Sequence, residues 1–220
     1  MTFSSKLPRL LMLSVWTVLV SGCGYLIPAH NQTTVAAELP AGAYALDSDH
    51  AALLFKVSHL GFSKTVGRFN RFDASLDFDR DAPAASDLTV VIETGSIDMT
   101  LDPFEETLRG PEWLDAETHP LARFDSSEII LTGDDTGQII GDFTLLGVTR
   151  PITLDVTFNG GAPNLVSGKF TLGFEAHGAF KRSDFGMTTL LPAIGDTVEL
   201  EIHAEFVRDD ARRTAALNLH

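Results

Sequence analysis

Hydrophobic and polar residues alternate along most of this chain. Leu53, Phe55, Val57 and His59 fall at every second position, with Lys56 and Ser58 between them. Strand side chains alternate between faces, so one side of this run is apolar. A second run, Gly67 to Phe78, restores the pattern at Leu76 and Phe78. Together they predict two long strands joined through Gly61 to Val66. Ala43 to Asp47 reads as a short strand ahead of them. Alternation returns at Leu88, Val90 and Ile92, at Ala122 to Leu131, at Phe143 and Leu145, and at Ile152, Leu154, Val156 and Phe158. Phe170, Leu172 and Phe174 form another such set. The last runs from Val198 to Phe206, with Glu199, Glu201, His203 and Glu205 on the opposite face. Turn residues separate these runs: Asp81 to Ser86, Gly133 to Gly137, Gly147 to Pro151, and Asn159-Gly160-Gly161, a strong hairpin signal. One stretch lacks the two-residue period. Asp102-Pro103 suits a helix start, Glu105 and Glu106 suit its first turn, and Gly110-Pro111 ends it. The pattern predicts an all-β chain of about eight long antiparallel strands, a sandwich or barrel, with a short helical insertion.

The start of the chain follows other rules. Residues 1–22 hold Lys6 and Arg9, an apolar core from Leu10 to Val20, and no acidic residue. That core is short for a permanent membrane span and reads as a targeting leader. Val20-Ser21-Gly22-Cys23 resembles the lipobox of bacterial lipoproteins, in which the Cys sulfur takes the lipid. Gly24 in place of Asp implies, by the same resemblance, the outer membrane. Cys23 is the one cysteine, which excludes an intrachain disulfide. Residues 23–40 read as the lipidated N-terminus and a tether, 41–208 as the barrel domain and 209–220 as a tail.

The 220 residues suffice for one medium domain with a sizeable core. Hydrophobic residues are 44% and charged residues 21%, so the chain is globular rather than disordered. A formal net charge of −14 excludes nucleic acid as a partner. Fifteen Phe stand against two Trp and two Tyr. Phe buries apolar area without a polar handle, which serves a packed core or the wall of an apolar cavity.

Five short motifs then occur in a familiar order. They are Asp49-His50 ahead of Phe55-Lys56-Val57-Ser58-His59-Leu60-Gly61; Gly67-Arg68-Phe69 with Phe72; Trp113-Leu114-Asp115 through His119-Pro120 to Phe124; Gly141 to Thr149; and Phe180 to Met187. Over residues 44–206 the chain resembles the YceI-like family. The resemblance implies an extended, lipocalin-like eight-stranded antiparallel barrel, periplasmic or secreted, with a polyisoprenoid in an elongated apolar cavity. Ala51 stands where the family often has Ser, and a lipobox is an unusual start for it, which implies a membrane-tethered variant.

That resemblance gives the alternating positions a candidate role. A prenyl chain has no hydrogen-bonding groups, so its site is a tube of apolar side chains. The candidate wall residues are Leu53, Phe55, Val57, Val90, Ile92, Phe124, Phe143, Leu145, Leu154, Phe170, Leu172 and Phe174, together with Leu88 and Ile152. By periodicity alone, each is equally a core residue. His59 is either a satisfied core histidine or a head-group contact at the cavity mouth. Arg182 either meets a pyrophosphate or quinone oxygen, or anchors its loop to Asp49 or a carbonyl. No nucleophile elbow and no helical His pair occurs, so no cofactor, metal or catalytic residue is assigned. The expected function is non-enzymatic: a periplasm-facing envelope lipoprotein that carries or buffers an isoprenoid lipid or quinone, held to the membrane by its lipid anchor. The alternative is a filled barrel, a structural or stress module with protein partners. A homodimer through edge strands stays open.

Overall fold

The computed structural model describes residues 31–99 and 102–209. The leader, Cys23 and nearly all of the expected tail lie outside them. Eleven strands form one antiparallel sheet: β1 Gly42–Leu46, β2 Ala52–His59, β3 Ser63–Phe69, β4 Phe72–Phe78, β5 Asp87–Glu93, β6 Ile97–Asp98, β7 Leu121–Leu131, β8 Thr136–Leu145, β9 Val148–Pro163, β10 Phe170–Lys181 and β11 Ile194–Arg208. β1 pairs with both β4 and β11, which closes the sheet into a cylinder. The eight strands of the closed ring are β1, β4, β5, β7, β8, β9, β10 and β11. Of the sandwich and the barrel that the alternation allowed, the fold is the eight-stranded barrel that the resemblance implied.

The upper half extends that ring. β2 pairs with β11 above β1, β3 pairs with β2, and β6 pairs with Arg68 and Phe69 of β3. β1/β2, β3/β4 and β5/β6 are thus three long staves, each broken once. The breaks fall side by side. Asn70 N–H donates to Ser96 O at 3.0 Å, and Arg71 N–H donates to Ser96 Oγ at 3.0 Å. Asp47 N–H donates to Glu205 O at 2.8 Å, while the Asp47 carboxylate accepts from Asp49 N–H at 3.2 Å and contacts His50 Nδ1 at 3.0 Å. The Asp49-His50 motif therefore shapes a break between staves. The expected single strand over 67–78 is divided at Asn70–Arg71, a step that period-two alternation does not mark.

Two turn readings shift. Leu146-Gly147, with φ of 52° and 73°, makes the two-residue turn between β8 and β9, because that turn needs positive φ at both positions. Asn159-Gly160-Gly161 is not a hairpin. β9 runs through it to Pro163, with a register shift opposite Gly173/Phe174 of β10. The glycines admit another segment instead. Thr33 and Gly161 exchange backbone hydrogen bonds at 3.1 and 2.8 Å, and a Cβ on Gly161 would lie 2.8 Å from Leu39 Cδ2.

That segment closes the lower end. Leu39 is 1% exposed and packs with Tyr44, Leu76, Phe78, Leu172 and Phe206. The Tyr44 hydroxyl donates to Pro40 O at 2.6 Å. Residues 33–40, read from sequence as tether, are an ordered plug. At the upper end β6 is only two residues long, and helix α1 (Asp102–Arg109) covers the gap beside β3. Arg109 latches it, donating from Nε to Gly95 O and from Nη2 to Ile97 O, both at 2.9 Å. Leu108, Trp113 and Leu114 pack into the upper core.

Candidate functional site

The inward positions of the strands do not all meet. Leu53, Phe55, Val57 and His59 of β2 lie between Phe69, Gly67, Thr65 and Ser63 of β3 and Ile202, Leu200, Val198 and Ile194 of β11. Outside, Lys56 pairs with Glu201 at 2.5 Å and Lys64 with Glu199 at 2.6 Å, which keeps charge off the inner face. Inside, the side chains leave a cavity of about 240 Å³. It runs from His59, Thr65 and Phe104 at the upper end to Leu46, Ala204 and Phe206 near the plug. A small volume with so long a wall describes a narrow tube. Small residues keep it open: Ala176 and Ala204 line it, and a Cβ on Gly67 would stand 2.3 Å from Met99 Sδ and 2.5 Å from Phe55 Cζ.

Aromatic side chains supply much of the wall. Phe143, Phe180 and Phe185 cluster with ring centroids 5.3–5.4 Å apart in the upper half. Phe55 meets Phe69 at 5.6 Å, and Phe174 meets Phe206 at 5.8 Å lower down. The upper end is the open one. His59 is exposed and Phe104 is 40% exposed, whereas Leu76 and Phe206 at the lower end are buried.

Of the residues expected in the wall, Leu53, Phe55, Val57, Val90, Ile92, Phe124, Phe143, Leu145, Leu154 and Phe174 face the cavity, as do Leu88 and Ile152. Phe170 and Leu172 do not. They share the parity of Phe174, but they lie beyond its level, where Leu39 fills the barrel from below; Leu172 is wholly buried there. His59 stands at the mouth.

Arg182 requires a correction. Its side chain borders the cavity, but its guanidinium faces the loop between β10 and β11. Nε donates to Gly195 O at 2.8 Å, Nη1 to Met187 O at 3.0 Å, and Nη2 to Thr189 O at 2.9 Å and Ile194 O at 3.0 Å. It lies 5.2 Å from the Trp113 ring centroid and is 1% exposed. Burial lowers its pKa and the Asp196 charge opposes that shift. With four of its five N–H donors on carbonyls, Arg182 holds the loop rather than a head group. Burial pushes the Asp196 carboxyl up, but Ser183 donates to it from N–H at 3.0 Å and from Oγ at 2.8 Å. Those bonds, with Lys181 and Arg182 nearby, outweigh burial and hold it below the usual carboxylate range.

The wall contains residues that alternation missed. Phe104, Leu108, Trp113, Leu114 and Met187 come from the helix and from loops. The 3.6-residue period of the helix was the available signal, since it puts Phe104 and Leu108 on one face. Polar groups along the tube are few. Thr94 donates to His119 O at 2.7 Å, and His59 and Thr65 sit at the open end. Among the described residues, Asp47, His50 and Glu205 bring ligand atoms within 4.8 Å of one another. They lie outside the cavity, at the β1/β2 break, with Asp47 already engaged by His50 and Asp49.

A closed eight-stranded barrel with a narrow apolar tube can hold a thin hydrocarbon chain and offers little to a polar ligand. The profile of the YceI-like domain matches residues 44–206. The chain belongs to the YceI-like family. A protein from Yersinia pestis (strain Pestoides F), named UPF0312 protein, is 39% identical over 170 residues, covering 76% of this chain and 88% of that one. Among solved structures, Burkholderia cenocepacia BcnA superposes with a TM-score of 0.66 at 24% identity, over 73% of this chain and 98% of that one. A polyisoprenoid binding domain from Saccharophagus degradans, implicated in plant cell wall breakdown, superposes with a TM-score of 0.58 at 15% identity, over 77% and 100%. At those identities the likeness is one of fold. The YceI-like barrel accounts for the five motifs by position: three lie on strands and their turns, one in the segment after α1, and one in the loop that Arg182 holds.

Proposed function

We propose that this YceI-like barrel binds a polyisoprenoid, or the tail of an isoprenoid quinone, along its apolar tube and acts as a carrier or buffer for it. The observation that carries this reading is the distribution of polarity: apolar side chains along the tube, with His59 and Thr65 at its open end. A prenyl chain needs no hydrogen bond along its length and gains about 25 cal/mol for each Å² of apolar surface removed from water. A terminal oxygen would meet His59 and Thr65 at the mouth. The polyisoprenoid binding named for the Saccharophagus domain supports the same reading. The leader and the Cys23 lipobox support an envelope lipoprotein that faces the periplasm from the outer membrane. We read the protein as a binder rather than an enzyme, because among the described residues the tube wall brings together no acid and base pair.

The test is native mass spectrometry of the domain from residue 24 onward, followed by organic extraction of what it carries. A stoichiometric long-chain isoprenoid is expected. Ala176 lies against Val156 and Ile202 inside the tube and is 8% exposed. Ala176→Trp fills that level and is expected to weaken farnesol and ubiquinone binding by about tenfold or more, because the displaced ligand forfeits its buried contact. A wild-type protein that extracts empty and refuses both probes overturns the reading.

A further inference from the structure

The rim of the tube carries apolar side chains that stay largely exposed to solvent. Phe62, at the tip between β2 and β3, is 90% exposed; Leu190 is 61%, Leu60 is 52% and Phe104 is 40% exposed. The first three form one surface, because Leu60 N–H donates to Ala193 O at 2.8 Å and ties the β2–β3 tip to the β10–β11 loop. Phe104 lines the same tube, and the start of its helix is fixed against upper β3, where Met99 N–H donates to Glu105 Oε1 at 2.9 Å and Met99 Sδ faces Gly67.

The backbone argues that this exposure is built in. Leu60 and Leu190 have φ of 53° and 58°, the left-handed region that leucine seldom adopts. Glycine or asparagine would sit there with less strain. Folding covers less than half of either side chain. Leu190 is not a slack loop residue either, because Arg182 holds the carbonyls of Thr189 and Ile194 around it. The two loops of the rim are also uncharged: residues 57–63 and 187–194 contain no Asp, Glu, Lys or Arg, in a chain that is 21% charged with a net charge of −14, whereas Phe104 is followed by Glu105 and Glu106. The acidic body is repelled by an anionic surface, and the rim matches an uncharged apolar one. The apolar wall of the tube continues onto Leu60, Phe62 and Leu190 across two loops that carry no charge.

We propose that Leu60, Phe62, Phe104 and Leu190 form a bilayer-insertion surface, through which an apolar ligand passes between membrane and tube without crossing water. The route rests on the prenyl-binding reading above; the membrane contact does not. The energetic reason is the ligand itself. A long prenyl chain moving through water would expose all the apolar area that either environment hides, whereas a rim sunk into the acyl region joins the two.

The test uses phosphatidylcholine vesicles, with and without an embedded fluorescent long-chain prenyl alcohol. The variant Leu60→Asn, Phe62→Ser, Leu190→Asn removes the apolar rim and places Asn where positive φ suits it, so its melting temperature is expected to hold or rise. Vesicle flotation and extraction of the embedded alcohol are expected to fall by about tenfold or more, and farnesol binding in solution to stay within about twofold. High salt is expected to leave wild-type flotation intact. Val166 is 97% exposed at the closed end, and Val166→Asp is expected to change nothing. Unchanged flotation of the rim variant overturns the proposal. So does a wild-type protein that ignores vesicles and forms a dimer that the variant disrupts, which makes the rim a self-association face. A wild type that floats but binds no farnesol supports the insertion surface and sinks the prenyl-binding reading alone.

Discussion

A buried guanidinium is stable only where carbonyls surround it; the loop between β10 and β11 supplies two to Arg182, from Met187 and Thr189, and the start of β11 supplies two more, from Ile194 and Gly195. A lysine there cannot reproduce the planar fork. Arg182→Lys is therefore expected to cost about 3 kcal/mol through carbonyls left unpaired, and to lower the melting temperature by about 10 °C. Prenyl binding by the folded variant is expected to stay within about twofold, because the guanidinium faces the loop. Scanning calorimetry and farnesol titration check the two halves of that statement. Stability unchanged with binding lost would restore the head-group role. Both roles were readable from the sequence, since a lone Arg in a Gly-bounded loop suits either. What decides between them is the curl of the loop back over the side chain, a long-range fact that local pattern does not contain.

Among the elements, the strands were the most legible. Period-two alternation places Leu53, Phe55 and Val57, or Leu145 and Leu154, on an inner face whatever the barrel's cross-section. The same logic misread the lower end. Phe170 and Leu172 keep the parity of Phe174, but parity does not say where along the barrel the tube ends. Leu39 decides that, from a segment with no period of its own. Its burial makes the plug a stability element. Leu39→Ala is expected to cost about 3 kcal/mol, the usual range for a buried leucine. Urea unfolding should show a lower midpoint with an unchanged slope. A free tether would give a change within about 0.5 kcal/mol, as exposed positions do. The same two glycines that look like a turn, Gly160 and Gly161, are where that segment crosses the sheet. A glycine pair reports close approach as readily as reversal, and only the third dimension separates them.

At the scale of the molecule, the two ends of the barrel have different work. The closed end receives the chain from the N-terminal side, with Thr33 bridged to Gly161. The open end carries the rim. β11 spans the distance between them with 15 residues, roughly 50 Å of strand, or about 38 Å along the axis at the usual barrel tilt. About ten residues join Cys23 to Thr33, at most ~35 Å when fully extended. If Cys23 carries the lipid, an upright barrel turns its closed end to the anchoring bilayer and its mouth away. The mouth then reaches its own membrane only with the barrel lying over, and otherwise addresses an opposing one. Loading of the lipidated protein from the vesicles that hold it is therefore expected to be slower than loading from a second vesicle population. Inserting about a dozen Gly/Ser residues after Gly24 roughly doubles the reach and should speed loading from the carrying vesicles several-fold. The rim variant should abolish that gain, since a longer tether helps only a mouth that enters the bilayer. Equal loading from both populations, with no response to length, would mean that the anchored barrel already rests on its side with the rim in its own membrane.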